Sequence, residues 1–259
     1  MAHPRRPDGS AGDADYGTIG RGYTNHRQPD PRIAAHILEA LGDARTVLNV
    51  GAGAGSYEPT DRAVTAVEPS ASMRAQRPAH LTEAIDATSE HLPFDDKAFD
   101  AAMATFTVHQ WPDLGAGLRE MRRVTRGPIA ILTCDPTLVQ RYWLNDYAPE
   151  VMATEASRFP ELGRISRYLG GDVDVIPVPV PLDCTDGFSE AWYGRPEGLL
   201  DPGVRLANSA WSFVGRDVEE RFEHDLAADL ESGTWDERHG ALRTQPQFDG
   251  CLRLLVSRG

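Results

Sequence analysis

Apolar residues recur along the first half of the chain in two alternating patterns. Ile33, Ile37 and Leu41 follow a helical spacing, with Pro31 at the start of the predicted helix and Gly42 at its end. Four short, nearly continuous apolar runs come next, and stretches with helical spacing separate them. Each run predicts a buried strand, and the runs cover residues 46–50, 63–67, 99–105 and 128–133.

Continuous apolar strands that alternate with helices are typical of a parallel sheet with helices on both faces. The crossovers between such strands are right-handed. The sequence therefore predicts an α/β protein built on a doubly wound, mostly parallel sheet.

The pattern changes after residue 135. Helical spacing and many aromatic residues predict a helical cap formed by about 137–171 and 184–247. Residues 173–182 alternate as a strand does, but three prolines occupy alternating positions, so this strand is short or lies at an edge. Residues 251–256 predict a last strand. We expect a disordered tail over 1–15 and one domain over 16–259, whose core is about 30–135, 172–183 and 248–258.

Composition and charge narrow the class of protein. The chain has 259 residues, 41% of them hydrophobic, and a formal net charge of −13, which disfavours a nucleic-acid partner. The three cysteines are far apart and predict neither a metal site nor a redox pair. No apolar run reaches membrane-spanning length, and none follows the basic N-terminus as in a signal peptide. We expect a cytoplasmic protein, monomeric or homodimeric, without a membrane partner or a metal.

Three glycines at alternate positions, Gly51, Gly53 and Gly55, follow the first strand, and Glu68 ends the second. Such glycines let a ligand approach the main chain closely, and an acid at that place can accept both hydrogen bonds of a ribose diol. The alternative is that the glycines only make a tight turn and that Glu68 caps the next helix. The dinucleotide pattern needs a sixth-position glycine where this chain has Ser56, which disfavours a dehydrogenase.

Five segments in order resemble the class I S-adenosylmethionine-dependent methyltransferases, particularly the branch that acts on small molecules. They fall within roughly residues 30–135 and are 47–55, 67–70, 86–94, 99–109 and 118–124. The resemblance implies a Rossmann-like sheet of seven strands, the last of them antiparallel. It also implies S-adenosyl-L-methionine as cofactor and S-adenosyl-L-homocysteine as product. One departure is Asn49, because the family usually has an acid there.

The resemblance also implies roles for single residues. Glu68 would bind the ribose, Asp86 the adenine amino group, and Tyr23 with Arg27 the methionine carboxylate. Met73 would pack on the adenine ring, unless it only packs its own helix. The implied cofactor contacts are Tyr23, Arg27, Asn49, Gly51, Ala52, Gly53, Gly55, Glu68, Pro69, Met73, Asp86, Ala87 and Thr105.

The acceptor side is predicted from residue type and position. His109 comes at the carboxyl end of the segment 99–109, which begins with the predicted strand 99–105. Open α/β sheets bind ligands at this edge. His109 would either deprotonate the acceptor or shape the pocket. Aromatic residues suit a flat or apolar small molecule, although each could equally belong to the core of the insertions. The candidates for substrate binding are Tyr16, Trp111, Trp143, Tyr147 and Trp192.

These observations favour methyl transfer to an oxygen, nitrogen or carbon atom of a small acceptor. The main alternative, motivated by Asn49, is a protein of the same fold that binds the cofactor without transferring methyl, as a scaffold, sensor or non-redox catalyst. An RNA or protein methyltransferase is disfavoured by the acidic charge.

Overall fold

The computed structural model describes residues 23–258. Its centre is a six-stranded sheet, and two further short strands pair separately. The strands are β1 Thr46–Val50, β2 Ala63–Val67, β3 Ala101–Thr105, β4 Ile129–Cys134, β5 Val173–Pro177, β6 Val180–Pro181, β7 Gln247–Phe248 and β8 Leu252–Ser257. The α-helices are α1 Tyr23–His26, α2 Pro31–Leu41, α3 Ala71–Arg74, α4 Leu114–Val124, α5 Pro136–Val139, α6 Pro149–Arg158, α7 Leu162–Leu169, α8 Pro202–Leu206, α9 Arg216–Ser232 and α10 Thr234–His239.

The strand order in the main sheet is β2-β1-β3-β4-β8-β5. The first four strands run parallel, and β8 pairs antiparallel with both β4 and β5. The chain crosses from one half of the sheet to the other between β2 and β3, which flank β1 on either side. The predicted doubly wound, mostly parallel sheet and its antiparallel last strand are confirmed.

One of the seven strands that the resemblance implied is reduced to a single bridge beside β2, so the main sheet has six strands over residues 23–258. Beyond β2, Ile85 donates to Ala66 O at 2.9 Å and accepts from the amide of Glu68 at 3.0 Å. Ile85 is exposed, and the next residue is the charged Asp86. The edge therefore lacks the buried apolar run that a longer ladder would need.

Alternating side chains of the buried strands point to two separate cores. Val47, Met103 and Leu132 pack on one face, with α2 and the aromatic insertions. Leu48 and Ala104 pack on the other face, with α4 and α7. Helix α7, although within 137–171, thus belongs to the layer opposite the aromatic insertions.

The ends of α2 and the proline-containing strand lie where the sequence predicts them. Asp30 caps α2 by accepting from the amide of Arg32 at 2.9 Å, and Gly42 ends the helix with a positive φ of 54°. The proline-containing strand β5 lies at the edge of the sheet, where Pro177 costs no central ladder bond. None of the helices between residues 23 and 258 is long and apolar enough to cross a membrane.

Candidate active site

A cleft at the carboxyl edge of β1 and β3, called here the first cavity, spans about 830 Å³, which includes space open to solvent. The glycine loop and Glu68 form one wall, and the chain that follows β3 forms another. The lining residues are Arg27, Gly51, Ala52, Gly53, Ala54, Ser56, Glu68, Pro69, Met73, Thr88, Ser89, Thr105, Phe106, Thr107, Gln110 and Trp111. The cleft lies where open α/β sheets bind their ligands.

The loop after β1 needs glycine for steric reasons. Gly51 has φ +69°, and a Cβ there would overlap the hydroxyl of Thr107 on the facing loop. The amides of Gly51 and Ala52 donate to Val67 O at 2.9 and 3.0 Å, which ties the loop to the end of β2. The main chain of the loop is therefore bare toward the cleft, as close contact with a ligand requires.

Glu68 joins the loop to the next helix. Its two carboxylate oxygens accept from the amides of Gly53 and Ser70, each at 2.8 Å. Burial raises the pKa of the Glu68 carboxyl, while these two amide hydrogen bonds act in the opposite direction. The carboxylate supports the start of α3, as the second interpretation expects, and it also lines the cleft, where the predicted ribose contact would be made.

The cleft does not include every residue that the resemblance implied. Gly51, Ala52, Gly53, Glu68, Pro69, Met73 and Thr105 line it as predicted, whereas Gly55 does not. Asp86 is exposed and lies 3.4 Å from Arg74, and Ala87 is buried in the core. The chain turns back toward the cleft two residues later, so the lining positions are Thr88 and Ser89.

Asn49 lies behind the cleft rather than in it. It is fully buried, and its Nδ2 donates to Glu58 Oε1 at 3.0 Å. Glu58 in turn forms a buried, two-pronged ion pair with Arg77 at 2.9 Å. Glu58 thus places an acid in the same buried region as Asn49, but this acid is paired with Arg77 and does not line the first cavity.

Arg27 separates the first cavity from a neighbouring one. Its Nε lies 2.5 Å from Asp186, and its guanidinium lies 5.1 Å from the centre of the Phe106 ring. The hydroxyl of Tyr57 also donates to Asp186 at 2.9 Å. Arg27 lines both cavities, so its predicted role beside the cofactor fits its place, although Asp186 already holds it. Tyr23 begins α1, and Tyr16 lies outside the described residues.

The neighbouring space, called here the second cavity, spans about 720 Å³, which includes space open to solvent, and shares Arg27 and Phe106 with the first. His109 lines it and packs on Phe159, with ring centres 4.7 Å apart. The predicted position of His109 beside a ligand space is therefore supported. Its remaining lining residues are Cys134, Val139, Met152, Glu155, Arg158, Phe159, Phe188, Ser189, Glu190, Ala207, Asn208, Ser209 and Cys251.

Three of the predicted acceptor contacts lie elsewhere. Trp143 and Tyr147 are buried in the insertions and donate to Tyr193 O at 3.0 Å and Asp229 Oδ2 at 2.7 Å. Trp192 packs under Arg195, and neither cavity includes any of the three. Their aromatic surface is used for the core of the insertions. Trp111 does line a cavity, but it is the first one.

Glu155 and Glu190 carry no local signal in the sequence. Both lie in helical segments and come together only through the fold. Burial raises the pKa of each carboxyl to about 7. Two such acids in one cavity make it a candidate functional site that sequence reasoning missed.

Comparison with known proteins supports one family. Residues 48–128 match a family model described as a methyltransferase domain. A solved structure from Anabaena variabilis, assigned as a methyltransferase of an antibiotic biosynthesis pathway, is 32% identical to this chain. It has a TM-score of 0.84 and is matched over 90% of this chain and 99% of that one.

Curated relatives match over shorter stretches. The malonyl-[acyl-carrier protein] O-methyltransferase of Pseudescherichia vulneris is 32% identical over 130 residues, which are 46% of this chain and 52% of that protein. The ubiquinone/menaquinone biosynthesis C-methyltransferase of Bartonella tribocorum is 35% identical over 75 residues, which are 28% and 29% respectively. The chain therefore spans about half the length of the curated relatives, or less.

The parallel sheet, the glycine-lined cleft and these matches define an α/β enzyme of the methyl-transferring class. The chain belongs to the class I S-adenosylmethionine-dependent methyltransferase family.

Proposed function

We propose that this chain transfers a methyl group from S-adenosyl-L-methionine to a small acceptor and releases S-adenosyl-L-homocysteine. The observation that carries the proposal is the pair of adjoining cavities at the carboxyl edge of the sheet, with Arg27 and Phe106 between them. The first cavity suits the cofactor and the second suits the acceptor. The helical insertions form the cap over the second cavity within a single domain.

The residues of the first cavity fit the cofactor. Glu68 is almost buried yet faces the cleft, and each of its oxygens keeps acceptor capacity beyond its one amide hydrogen bond, which suits a ribose diol. Met73 offers an apolar surface for an adenine ring, and Thr88 and Ser89 offer polar groups to its edge. Gly51 and Gly53 leave room for the methionine portion.

When bound, S-adenosylmethionine supplies a methyl group on a positively charged sulfur. The chain's own task is to hold the acceptor's nucleophile in line with that group, which is catalysis by proximity and orientation. Phe106 and Arg27 lie between the two cavities and fix this approach. His109, the half-buried Glu155 and the buried Glu190 are groups of the second cavity that can take a proton.

Calorimetric titration tests the cofactor half of the proposal. We expect micromolar binding of S-adenosylhomocysteine to the wild type, and loss of about tenfold or more in Glu68→Ala, because a hydrogen-bonded charged group is removed. The matched control is Glu83→Ala, an exposed acid shortly before Ile85. Absence of binding to the wild type, or equal effects of the two substitutions, would refute the assignment.

The alternative, binding without methyl transfer, rests on Asn49. The buried Glu58 weakens that argument, because an acid is present in the region where the family usually places one. Incubation of the wild type with methyl-labelled cofactor and small-molecule extract separates the two functions. A labelled product supports transfer, whereas tight binding with no labelled product favours the alternative.

A further inference from the structure

The second cavity is lined by two carboxylates, Glu155 and Glu190. Glu155 lies on α6, and Glu190 lies on the 3-10 turn Ser189–Trp192. Both oxygens of Glu190 accept from the amide of Cys251 at 2.9 Å. The negative charge of Glu155 adds to the burial that raises the pKa of Glu190. The two acids thus act on each other across one ligand-sized space.

Glu155 has an incomplete set of hydrogen bonds. Its Oε2 is buried and has no hydrogen-bond partner among residues 23–258. A buried carboxylate oxygen without a donor is costly, so the cavity is complete only when a ligand supplies an N–H or O–H group. The orphaned oxygen therefore points to a proton-donating acceptor.

The charges around the cavity favour a cation. Arg27 forms an ion pair with Asp186, so its charge is already balanced. Arg253 also acts to lower the pKa of Glu190, but it forms an ion pair with Asp249. Even when the whole charge of Arg158 is counted, Glu155 and Glu190 therefore leave an excess of negative charge once ionised. Ser189 donates a side-chain hydrogen bond to Glu155. The titratable and charged groups that line the cavity with Glu155 are Arg27, His109, Cys134, Arg158, Glu190 and Cys251.

The rest of the lining suits an apolar body. The rings of Phe106, Phe159 and Phe188 line the same cavity, and aromatic faces attract cations as well as apolar groups. An anionic acceptor would meet two carboxylates, and a neutral alcohol would satisfy the orphaned oxygen but not the charge. An ammonium on an apolar, ring-sized molecule satisfies both.

We propose that the second cavity binds an acceptor with a protonated nitrogen on an apolar body, and that Glu155 is its counter-ion and proton acceptor. This inference rests on the proposed function. The step is a proton transfer: an N–H bond of the ammonium breaks, its electron pair stays on nitrogen, and the proton forms an O–H bond on Glu155. The nitrogen lone pair is then the nucleophile for methyl transfer. Glu155 afterwards returns the proton to solvent.

The test is calorimetry on the full chain with three probes of one shape: 2-phenylethylamine, 2-phenylethanol and phenylacetate. We expect the amine to bind about tenfold more tightly than the alcohol at pH 7.5, and phenylacetate most weakly, since the coupling measured between close opposite charges at interfaces begins at about this factor. At pH 6.5 the amine should release up to about one proton, because its charge ionises Glu155. Titrations in two buffers of different ionisation enthalpy measure that proton.

Two substitutions on the same helix separate the proposed role of Glu155 as counter-ion and proton acceptor from a general effect of charge. Glu155→Gln should abolish the preference for the amine and the proton release, while 2-phenylethanol binds as before and shows that the cavity is folded. Glu150→Gln removes an exposed acid of α6 that pairs with Arg221 and should behave as the wild type. Equal binding of amine and alcohol, no binding of any probe, or an unchanged preference in Glu155→Gln would each overturn the proposal.

Binding of S-adenosylhomocysteine distinguishes failure of the cation site from failure of the proposed function. The titrations are made with and without S-adenosylhomocysteine, whose binding depends on the first cavity. If the amine binds through Glu155 while S-adenosylhomocysteine does not bind at all, the proposed function fails and the cation site stands. If S-adenosylhomocysteine binds while the amine shows no preference, the cation site fails and the proposed function stands.

Discussion

The side-chain amide of Asn49 donates to a carboxylate nine residues further along the chain, Oε1 of Glu58, at 3.0 Å. Glu58 is in turn held by Arg77, and the side chains of this pair are 2% and 4% exposed. Asn49 therefore completes a buried network with one negative and one positive charge. An uncharged donor is what this position needs.

Asn49→Asp is expected to destabilise the protein rather than tighten cofactor binding. The new carboxylate has no proton to donate to Glu58 and would place two acids beside one arginine. Loss of the hydrogen bond and the added repulsion should cost about 2–4 kcal/mol in the free energy of unfolding. Urea denaturation at pH 7.5 measures it. A variant with unchanged stability and tighter S-adenosylhomocysteine binding would contradict this account of the network.

Gly51→Ala should lose both stability and cofactor binding. The methyl group would overlap the Thr107 hydroxyl, and φ at +69° is unfavourable for alanine. We expect a loss of about 1–3 kcal/mol and no detectable binding of S-adenosylhomocysteine. The matched control is Gly163→Ala, within α7, where the added methyl meets no atom within 4 Å. That change should stabilise the helix by up to about 1 kcal/mol. Equal effects of both would refute the steric argument.

Much of the fold could be predicted from the sequence because the apolar runs are continuous and the turn signals are local. The bounds of β1 and β2 are as predicted. Asp30 caps the start of α2, and Gly42 ends the helix as expected. The prediction of seven strands was wrong at the edge beside β2, where only Ile85 forms a bridge. Ile85 is exposed, and the local pattern of apolar residues does not decide hydrogen bonding at such an edge.

The sequence predicted only those cavity residues that come directly after the end of a strand. Gly51, Gly53 and Glu68 are fixed by the ends of β1 and β2, so sequence order was enough to place them in the first cavity. The acceptor side depends on contacts across the fold. Trp143 was chosen for its chemistry and lies in the core, whereas Glu155 and Glu190 carry no periodic signal and were missed.

Tyr147→Phe tests the structural role given to the aromatic insertions. The phenol donates to Asp229 Oδ2 at 2.7 Å and so links the chain before α6 to α9. Losing this hydrogen bond to a charged group should cost about 1–3 kcal/mol, measured by urea denaturation. Binding of S-adenosylhomocysteine and of 2-phenylethanol should not change. Weaker binding of 2-phenylethanol in a fully folded variant would contradict this structural role and support the predicted contact of Tyr147 with the acceptor.

Glu190→Gln should change how stability depends on pH. Burial raises the pKa of the Glu190 carboxyl to about 7 in the folded protein, from 4.5 when it is unperturbed. A raised pKa favours the protonated form in the folded state, so this contribution to stability is complete below pH 4.5. It is lost as the pH rises through about 7. The loss amounts to at most about 3 kcal/mol for this shift.

The measurement is thermal or urea unfolding of both proteins at pH 5 and at pH 8. Glutamine cannot ionise, and its carbonyl can still accept from the amide of Cys251, so the variant should be more stable than the wild type at pH 8 and similar at pH 5. Glu231→Gln, an exposed acid in the last turn of α9, serves as the control and should follow the wild type. If Glu190→Gln were less stable than the wild type at both values by the same amount, Glu190 would be a structural hydrogen-bond acceptor and its ionisation would not matter near neutral pH. Measured at intermediate pH values as well, the difference in stability should begin to grow near the unperturbed pKa of 4.5 and level off at the pKa of the buried acid. Levelling near pH 7 would mean that the cavity changes charge close to neutral pH.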